Sequence, residues 1–271
     1  MKQPIRVAIL DMYNQLPNQG MRCIKELVQA APFELDWQVF DVRAKHELPD
    51  TSYDLYISSG GPGNPLEGDG VWEVAYFELI DTLWKHNLTA APADKKYVLF
   101  ICHSFQMACK HFDLADIVKR NVTSFGVLPV HKTRAGQKEP LLGPLPDPFY
   151  AVDSRDYQVI QPRLEEFEEH GATIVALEDF RDKAGLERAI MAVRFSEEFF
   201  GTQFHPEADA DGMLDHFSHP EKKQQTIDQH GERVYKQMMD GLQDENKIAL
   251  TYSSLIPGFI HDSVERLEVF R

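Results

Sequence analysis

Tyr97-Val98-Leu99-Phe100-Ile101-Cys102-His103-Ser104-Phe105-Gln106 decides how this chain folds. Five apolar residues in a row read as a strand buried on both faces, the pattern of a parallel sheet. Cys102 ends the run, and His103 to Phe112 is predicted to form the helix that follows. Working outward, the same alternation recurs. Ile5 to Leu10 is another continuous apolar run. Asn18-Gln19-Gly20 opens a helix to Ala31, stopped by Pro32. Leu35 to Val42 reads as a strand with Leu35, Trp37 and Val39 on one face. Leu55-Tyr56-Ile57 is a short strand running into a Gly-rich loop. Val71 to His86 has helical spacing at Val71, Val74, Ala75, Glu78, Leu79 and Leu83. Strand alternating with helix means a parallel α/β sheet with helices on both faces.

After Phe125 the pattern changes. Val127 to His131 and Phe149 to Val152 are expected as strands of an antiparallel or mixed extension. Thr173 to Leu177, Ile190 to Phe195 and Phe200 to Phe204 are three further short strands, and Gln137 to Pro148 is a Pro- and Gly-rich loop. The tail differs in character. Glu221 to Gln243 is polar with a thin apolar stripe of Ile227, Val234 and Met238. Asp262 with Glu265 resembles a capping box before Val264, Leu267 and Val269. This gives a main domain over 1–212 and a helical C-terminal extension over 213–271.

Composition narrows the function. A hydrophobic content of 43% suffices for a globular enzyme core. A net charge of −15 repels phosphate backbones, which argues against nucleic acid. The three cysteines, Cys23, Cys102 and Cys109, are odd in number and form no C-x-x-C pair, so neither a disulfide framework nor a thiolate zinc site is expected. A reducing compartment follows. Val7-Ala8-Ile9-Leu10 stops at Asp11, too short for a signal-peptide core, and no apolar run approaches the ~18 residues of a membrane span. A soluble, cytoplasmic protein without membrane contact is the expectation. Asp209, Asp211, Asp215, His216 and His219 match neither an EF-hand loop nor a zinc helix, so an acidic solvent-facing loop is expected there, with no metal and no cofactor.

Three strings carry chemistry. Cys102 stands at the turn from strand to helix, where the helix dipole favours negative charge. In Gln203-Phe204-His205-Pro206-Glu207, histidine and glutamate two apart on an extended segment share one face. Glu207 can then accept from one imidazole nitrogen while the other faces a thiol, which is the nucleophile, base and orienter logic of a hydrolytic triad. A second copy of the tripeptide, His219-Pro220-Glu221, follows polar residues and starts a predicted helix, so the first copy is preferred. Ser59-Gly60-Gly61-Pro62-Gly63-Asn64-Pro65 lies between strand and helix and can offer backbone N–H groups to an oxyanion. It lacks the G-x-G-x-x-G spacing of a dinucleotide site.

Together these strings resemble the class I glutamine amidotransferases over roughly residues 5 to 210. That family's elbow is G-x-C-x-G-x-Q. Cys102 and Gln106 match it, while Phe100 and Ser104 replace its glycines. Gly201-Thr202-Gln203-Phe204-His205-Pro206-Glu207 resembles its G-x-Q-F-H-P-E segment, and Asp153-Ser154-Arg155-Asp156-Tyr157-Gln158-Val159 resembles its S-H-x-D-x-V segment, with arginine where histidine is usual. The resemblance implies a flavodoxin-like, mostly parallel core. It implies a catalytic set of Cys102, His205 and Glu207, and an oxyanion hole from Gly60 or Gly61 with His103. Substrate contacts would come from Gln106 and the Ser154, Arg155 and Asp156 segment. Arg155 is expected either to pair with a carboxylate in the pocket or to be a solvated surface charge. The implied activity is release of ammonia from the glutamine side chain through a cysteinyl thioester, for a separate synthase partner. Phe100 must be housed, so packing around the elbow is expected to differ. A γ-glutamyl or other amide hydrolase of the same fold is therefore the alternative, and a non-catalytic binding or regulatory protein keeping the fold is the reading from another class. The tail is expected to cover the active site or to form a homodimer interface.

Overall fold

The computed structural model describes residues 4–179 and 187–270. Its centre is a nine-stranded sheet. The strands are β1 (Ile5–Asp11), β2 (Leu35–Asp41), β3 (Leu55–Ser58), β4 (Tyr97–Ile101), β5 (Asp116–Lys132), β6 (Phe149–Ile160), β7 (Thr173–Glu178), β8 (Ile190–Arg194) and β9 (Phe199–Thr202). They lie in the order β2-β1-β3-β4-β9-β8-β7-β5-β6. Pairing is parallel from β2 through β9 and antiparallel from β9 to β6. The crossovers are α1 (Gly20–Gln29), α2 (Trp72–Thr89) and α3 (His103–His111), and α4 (Leu164–His170) leads from β6 to β7. This is the flavodoxin-like α/β core expected from the alternating pattern.

The apolar runs explain the layers. All five residues of β4 and all four of β3 are buried, as a strand covered on both faces requires. One core cluster joins Val7, Ile9, Leu55, Ile57, Leu99 and Ile101 to α1, while the other joins Ala8, Leu10, Tyr56, Val98 and Phe100 to α2 and α3. Alternate side chains of each strand thus feed opposite layers.

The second half departs from the expected boundaries. β5 and β6 are longer than their apolar stretches, and they pair antiparallel from Asp116↔Ile160 to Val130↔Phe149, with a register shift between Lys119 and Ser124. The segment from Asp153 to Val159 therefore lies within a strand. Beyond β9 come α5 (Ala210–Ser218), α6 (Pro220–His230), α7 (Glu232–Gln243) and α8 (Ile248–Phe270). His219-Pro220 does start a helix, with proline at its first position. The pair Asp262 and Glu265 is not a helix start: α8 runs unbroken across it from Ile248, with Pro257 inside. Leu255, Ile256, Phe259, Ile260, Val264 and Leu267 of α8 are buried in the same cluster as β1, β3 and β4. No helix among the described residues is long and apolar enough to cross a membrane.

Candidate active site

The C-terminal ends of β1, β3, β4 and β9 converge on one cleft, where ligands of open parallel sheets bind. Cys102 links β4 to α3. Its backbone sits at φ 48°, ψ −97°, a conformation that costs a non-glycine residue on the order of 1–3 kcal/mol and persists only where the surroundings enforce it. Here they do. The Cys102 N–H donates to the Thr202 carbonyl at 2.7 Å, and its carbonyl accepts from Gln106 N–H at 3.0 Å. The Ser104 hydroxyl accepts from the Ile101 N–H at 2.8 Å and donates to the Ser58 carbonyl at 2.8 Å. The thiol is thus held at the head of a helix, on the strained strand-to-helix turn used by nucleophile elbows.

His205 lies just past β9 in an isolated antiparallel bridge to Val152, its N–H donating to the Val152 carbonyl at 2.9 Å. Its Nδ1 is 2.8 Å from Glu207 Oε1, and Cys102 is close enough to raise the ring's proton affinity. The histidine side chain keeps 14% of its surface open to the cleft, whereas Glu207 keeps 1%. The imidazole can reach a ligand; the carboxylate faces the imidazole. Burial disfavours the charged ring, but the charges of Glu207 and Cys102 and the hydrogen bond to Glu207 outweigh it, and the His205 pKa lies well above the usual value. A thiol, an imidazole that holds its proton firmly and a buried carboxylate therefore stand in series.

The other expected site residues fall around this series. Gly60 abuts the His205 ring: a Cβ there would lie 2.8 Å from His205 Cε1. A Cβ on Gly61 would collide with the Met12 carbonyl. Ser59 fastens this loop to the end of β1, its hydroxyl accepting from the Met12 N–H at 2.9 Å. Gly61 and His103 line the cleft with Cys102. Gln106 is buried in the cleft floor, its Nε2 donating to Tyr157 O and Gln203 Oε1, both at 3.1 Å. Ser154 and Asp156 line the cleft as exposed side chains. Arg155 lines the cleft and is not a solvated surface charge; the carboxylates it pairs with are the protein's own. Its side chain is 1% exposed, Nε donates to Asp153 at 3.0 Å, and its guanidinium lies 3.3 Å from Glu178. Glu178 also pairs with Arg120, and Arg155 Nη1 and Nη2 have no hydrogen-bond partner among the described residues.

Two residues at the site lie outside the expected set. Gln203 bridges the site, receiving from Gln106 while its own Nε2 approaches Cys102 Sγ at 3.7 Å. Its position directly after β9 and two residues before His205 is the signal the sequence offers. Tyr13 follows β1, and its hydroxyl fills the gap left by two glycines, 2.6 Å from where a Gly20 Cβ would be and 3.2 Å from a Gly60 Cβ. Burial first, then the nearby Glu207 and Cys102, raise the phenol's pKa and keep it a hydrogen-bond donor. Nothing local in the sequence marks it. The acidic stretch after Glu207 is structural: Asp209 caps α5 by accepting from Gly212 N–H at 2.9 Å and pairs with Arg22. Among the described residues no group of three or more His, Cys, Asp or Glu could hold a metal ion.

A family model described as Glutamine amidotransferase class-I matches residues 8–230. A glutamine amidotransferase from Thermotoga maritima has a similar fold at a TM-score of 0.68 and 18% identity, covering 97% of this chain and 100% of that one. The glutaminase domain of Trypanosoma brucei CTPS, solved with bound acivicin, gives 0.58 at 14% identity, covering 96% and 94%. A putative GMP synthase subunit from Thermoplasma acidophilum gives 0.53 at 20%, covering 77% and 87%. No curated protein matches by sequence.

Proposed function

The chain belongs to the class-I glutamine amidotransferase family, and on that premise we propose that it hydrolyses the side-chain amide of glutamine through a Cys102 thioester. The observation that carries this reading is Cys102 on a strained elbow facing His205, whose Nδ1 is 2.8 Å from Glu207. Cys102 attacks the amide carbon, and His205 takes the thiol proton. The tetrahedral oxyanion is held by backbone N–H groups of His103 and of Gly60 or Gly61. His205 passes its proton to the departing nitrogen, and ammonia leaves. Water, deprotonated by the same imidazole, cleaves the thioester and releases glutamate. Glu207 fixes the ring tautomer throughout. Gln106, Ser154 and Asp156 contact the glutamine; Arg155 holds the Asp153 carboxylate beside them.

The ammonia goes to a separate synthase partner in the cytoplasm, where the Cys102 thiol stays reduced. Similar folds in proteins named for GMP synthase and CTPS support this part. Residues 1–212 carry Cys102, His205 and Glu207, and 213–271 the helical extension, which supplies one wall of the cleft through Met213, Phe217 and Met238. The test is ammonia and glutamate release from L-glutamine by wild type and Cys102→Ala, with mass analysis of Cys102 after a thiol-reactive glutamine analogue. Cys102-dependent release is expected. Release that survives Cys102→Ala would sink the assignment.

A further inference from the structure

The cleft around Cys102 has a volume of about 380 Å³, within the general range of small-molecule pockets. Its outer wall is apolar: Phe125 of β5, Val152 of β6, Met213 and Phe217 of α5 and Met238 of α7. Phe125 and Phe217 meet edge to face, with centroids 5.7 Å apart, and the His230 ring lies flat on Phe125 at 4.4 Å. Phe125, Met213 and Phe217 remain only half buried. Apolar surface left open inside a cleft gains free energy when a ligand covers it, and methionine adapts its shape to what it meets.

The position of this wall says which part of a substrate it meets. Val152 is hydrogen-bonded to the backbone of His205 at 2.9 Å, so the wall begins beside the base. The base must hand its proton to the departing nitrogen, which places that nitrogen between His205 and the wall. Resting on the Cys102, His205 and Glu207 reading, we infer that the same three residues also hydrolyse γ-glutamyl amides whose nitrogen carries an aromatic or otherwise apolar, uncharged group. Charge narrows the class further. Among the described residues lining the cleft, Arg155 is the only lysine or arginine; its Nε is held by Asp153, and Glu178, which also pairs with Arg120, lies 3.3 Å from it. Burial and the neighbouring Lys222 and His219 lower the His216 pKa and favour its neutral form. A leaving amine that carried a carboxylate would face Asp156 and would meet a guanidinium whose side chain is only 1% exposed.

The step balances without a co-reactant. The Cys102 sulfur–carbon bond forms, the amide carbon–nitrogen bond breaks, and the nitrogen takes the proton that His205 removed from the thiol. The free amine leaves, and water then converts the thioester to a carboxylate and regenerates the thiol.

The experiment compares kcat/KM for γ-L-glutamyl-benzylamide, L-glutamine and γ-L-glutamyl-glycine with wild type, Cys102→Ala and Phe217→Ala. The benzylamide is expected to exceed the glycine conjugate at least tenfold, and its ratio to glutamine to fall about tenfold in Phe217→Ala. The wild-type ranking needs no variant to fold. Cys102-dependent hydrolysis of glutamine without the benzylamide overturns this inference and leaves the glutaminase reading standing. Hydrolysis of the benzylamide without glutamine supports it and sinks that reading. Hydrolysis of neither overturns both.

Discussion

Phe100 on β4 and Gly201 on β9 are direct register partners in the parallel pair that carries Cys102 and His205. Phe100 is fully buried and packs edge-on to Phe195 and Phe199, with centroids 5.7 and 6.0 Å apart. Gly201 leaves the room: a Cβ there would lie 2.7 Å from Phe105 Cδ2, 3.0 Å from Phe195 Cε2 and 3.3 Å from Phe100 Cβ. The bulk absent from one strand is the bulk present on the other, and the elbow keeps its shape although Phe100 replaces a family glycine. Gly201→Ala is therefore expected to overpack three phenylalanines and to cost about 1–3 kcal/mol. Urea unfolding measures it; a midpoint equal to wild type would show that the rings yield freely.

Ser104 stands at the second family glycine and repays the extra atoms with hydrogen bonds. Ser104→Ala leaves the Ile101 N–H and the Ser58 carbonyl, both buried, without the hydroxyl that joins them. A loss of about 1–3 kcal/mol is expected. Because the same hydroxyl ties the elbow to the end of β3, kcat should fall as well. Ser104→Gly, which restores the family residue but not the bonds, should behave like the alanine variant. Full activity in both would mean that the backbone alone holds Cys102.

The alternating core was legible because continuous apolar runs such as β4 demand cover on both faces; the pairing of His205 with Glu207 comes from a turn at Pro206 and Glu207 rather than from the extended segment expected there. What escaped the sequence depends on long-range partners. Gly201 faces Phe100 only because β9 inserts beside β4, about a hundred residues away. β5 runs through Lys119, Arg120 and Asn121, polar residues that hide a strand, and β6 supplies its register. Arg155 is buried beside Asp153 and Glu178, the latter on β7 and shared with Arg120 of β5, partners that no local pattern announces. Asp262 and Glu265 mimic a helix start locally, yet the burial of Leu255 through Leu267 holds α8 together across them.

His103, directly after Cys102, is 2% exposed, and its Nε2 has no hydrogen-bond partner among the described residues. Burial, aided by the charge of Arg43, lowers its pKa to about 3. The folded value lies below the unfolded value of ~6.5, so between the two the unfolded chain binds the additional proton. This contribution to stability is complete above pH ~6.5 and is lost as pH falls toward 3, with a slope of at most ~1.4 kcal/mol per pH unit. Urea midpoints at pH 7 and pH 5 should therefore differ less in His103→Gln than in wild type. Equal differences would assign the proton uptake to other groups.

Glu207→Gln keeps the size of the side chain that meets His205 Nδ1 and removes its charge. The His205 pKa is raised because Glu207 and Cys102 outweigh the cost of burying the imidazolium; without the carboxylate it falls. The alkaline limb of kcat/KM, where His205 loses the proton it must give to the leaving nitrogen, is expected to move to lower pH, and kcat to drop by about 10²–10⁴. The stability sign agrees. A folded value above the unfolded one stabilises fully below pH ~6.5 and is lost as pH rises through the folded value, so the variant gives up stability near neutrality that wild type keeps until more alkaline conditions. A lower kcat with an unmoved alkaline limb would make Glu207 a packing residue. A moved limb would make it the charge that sets the proton affinity of the base.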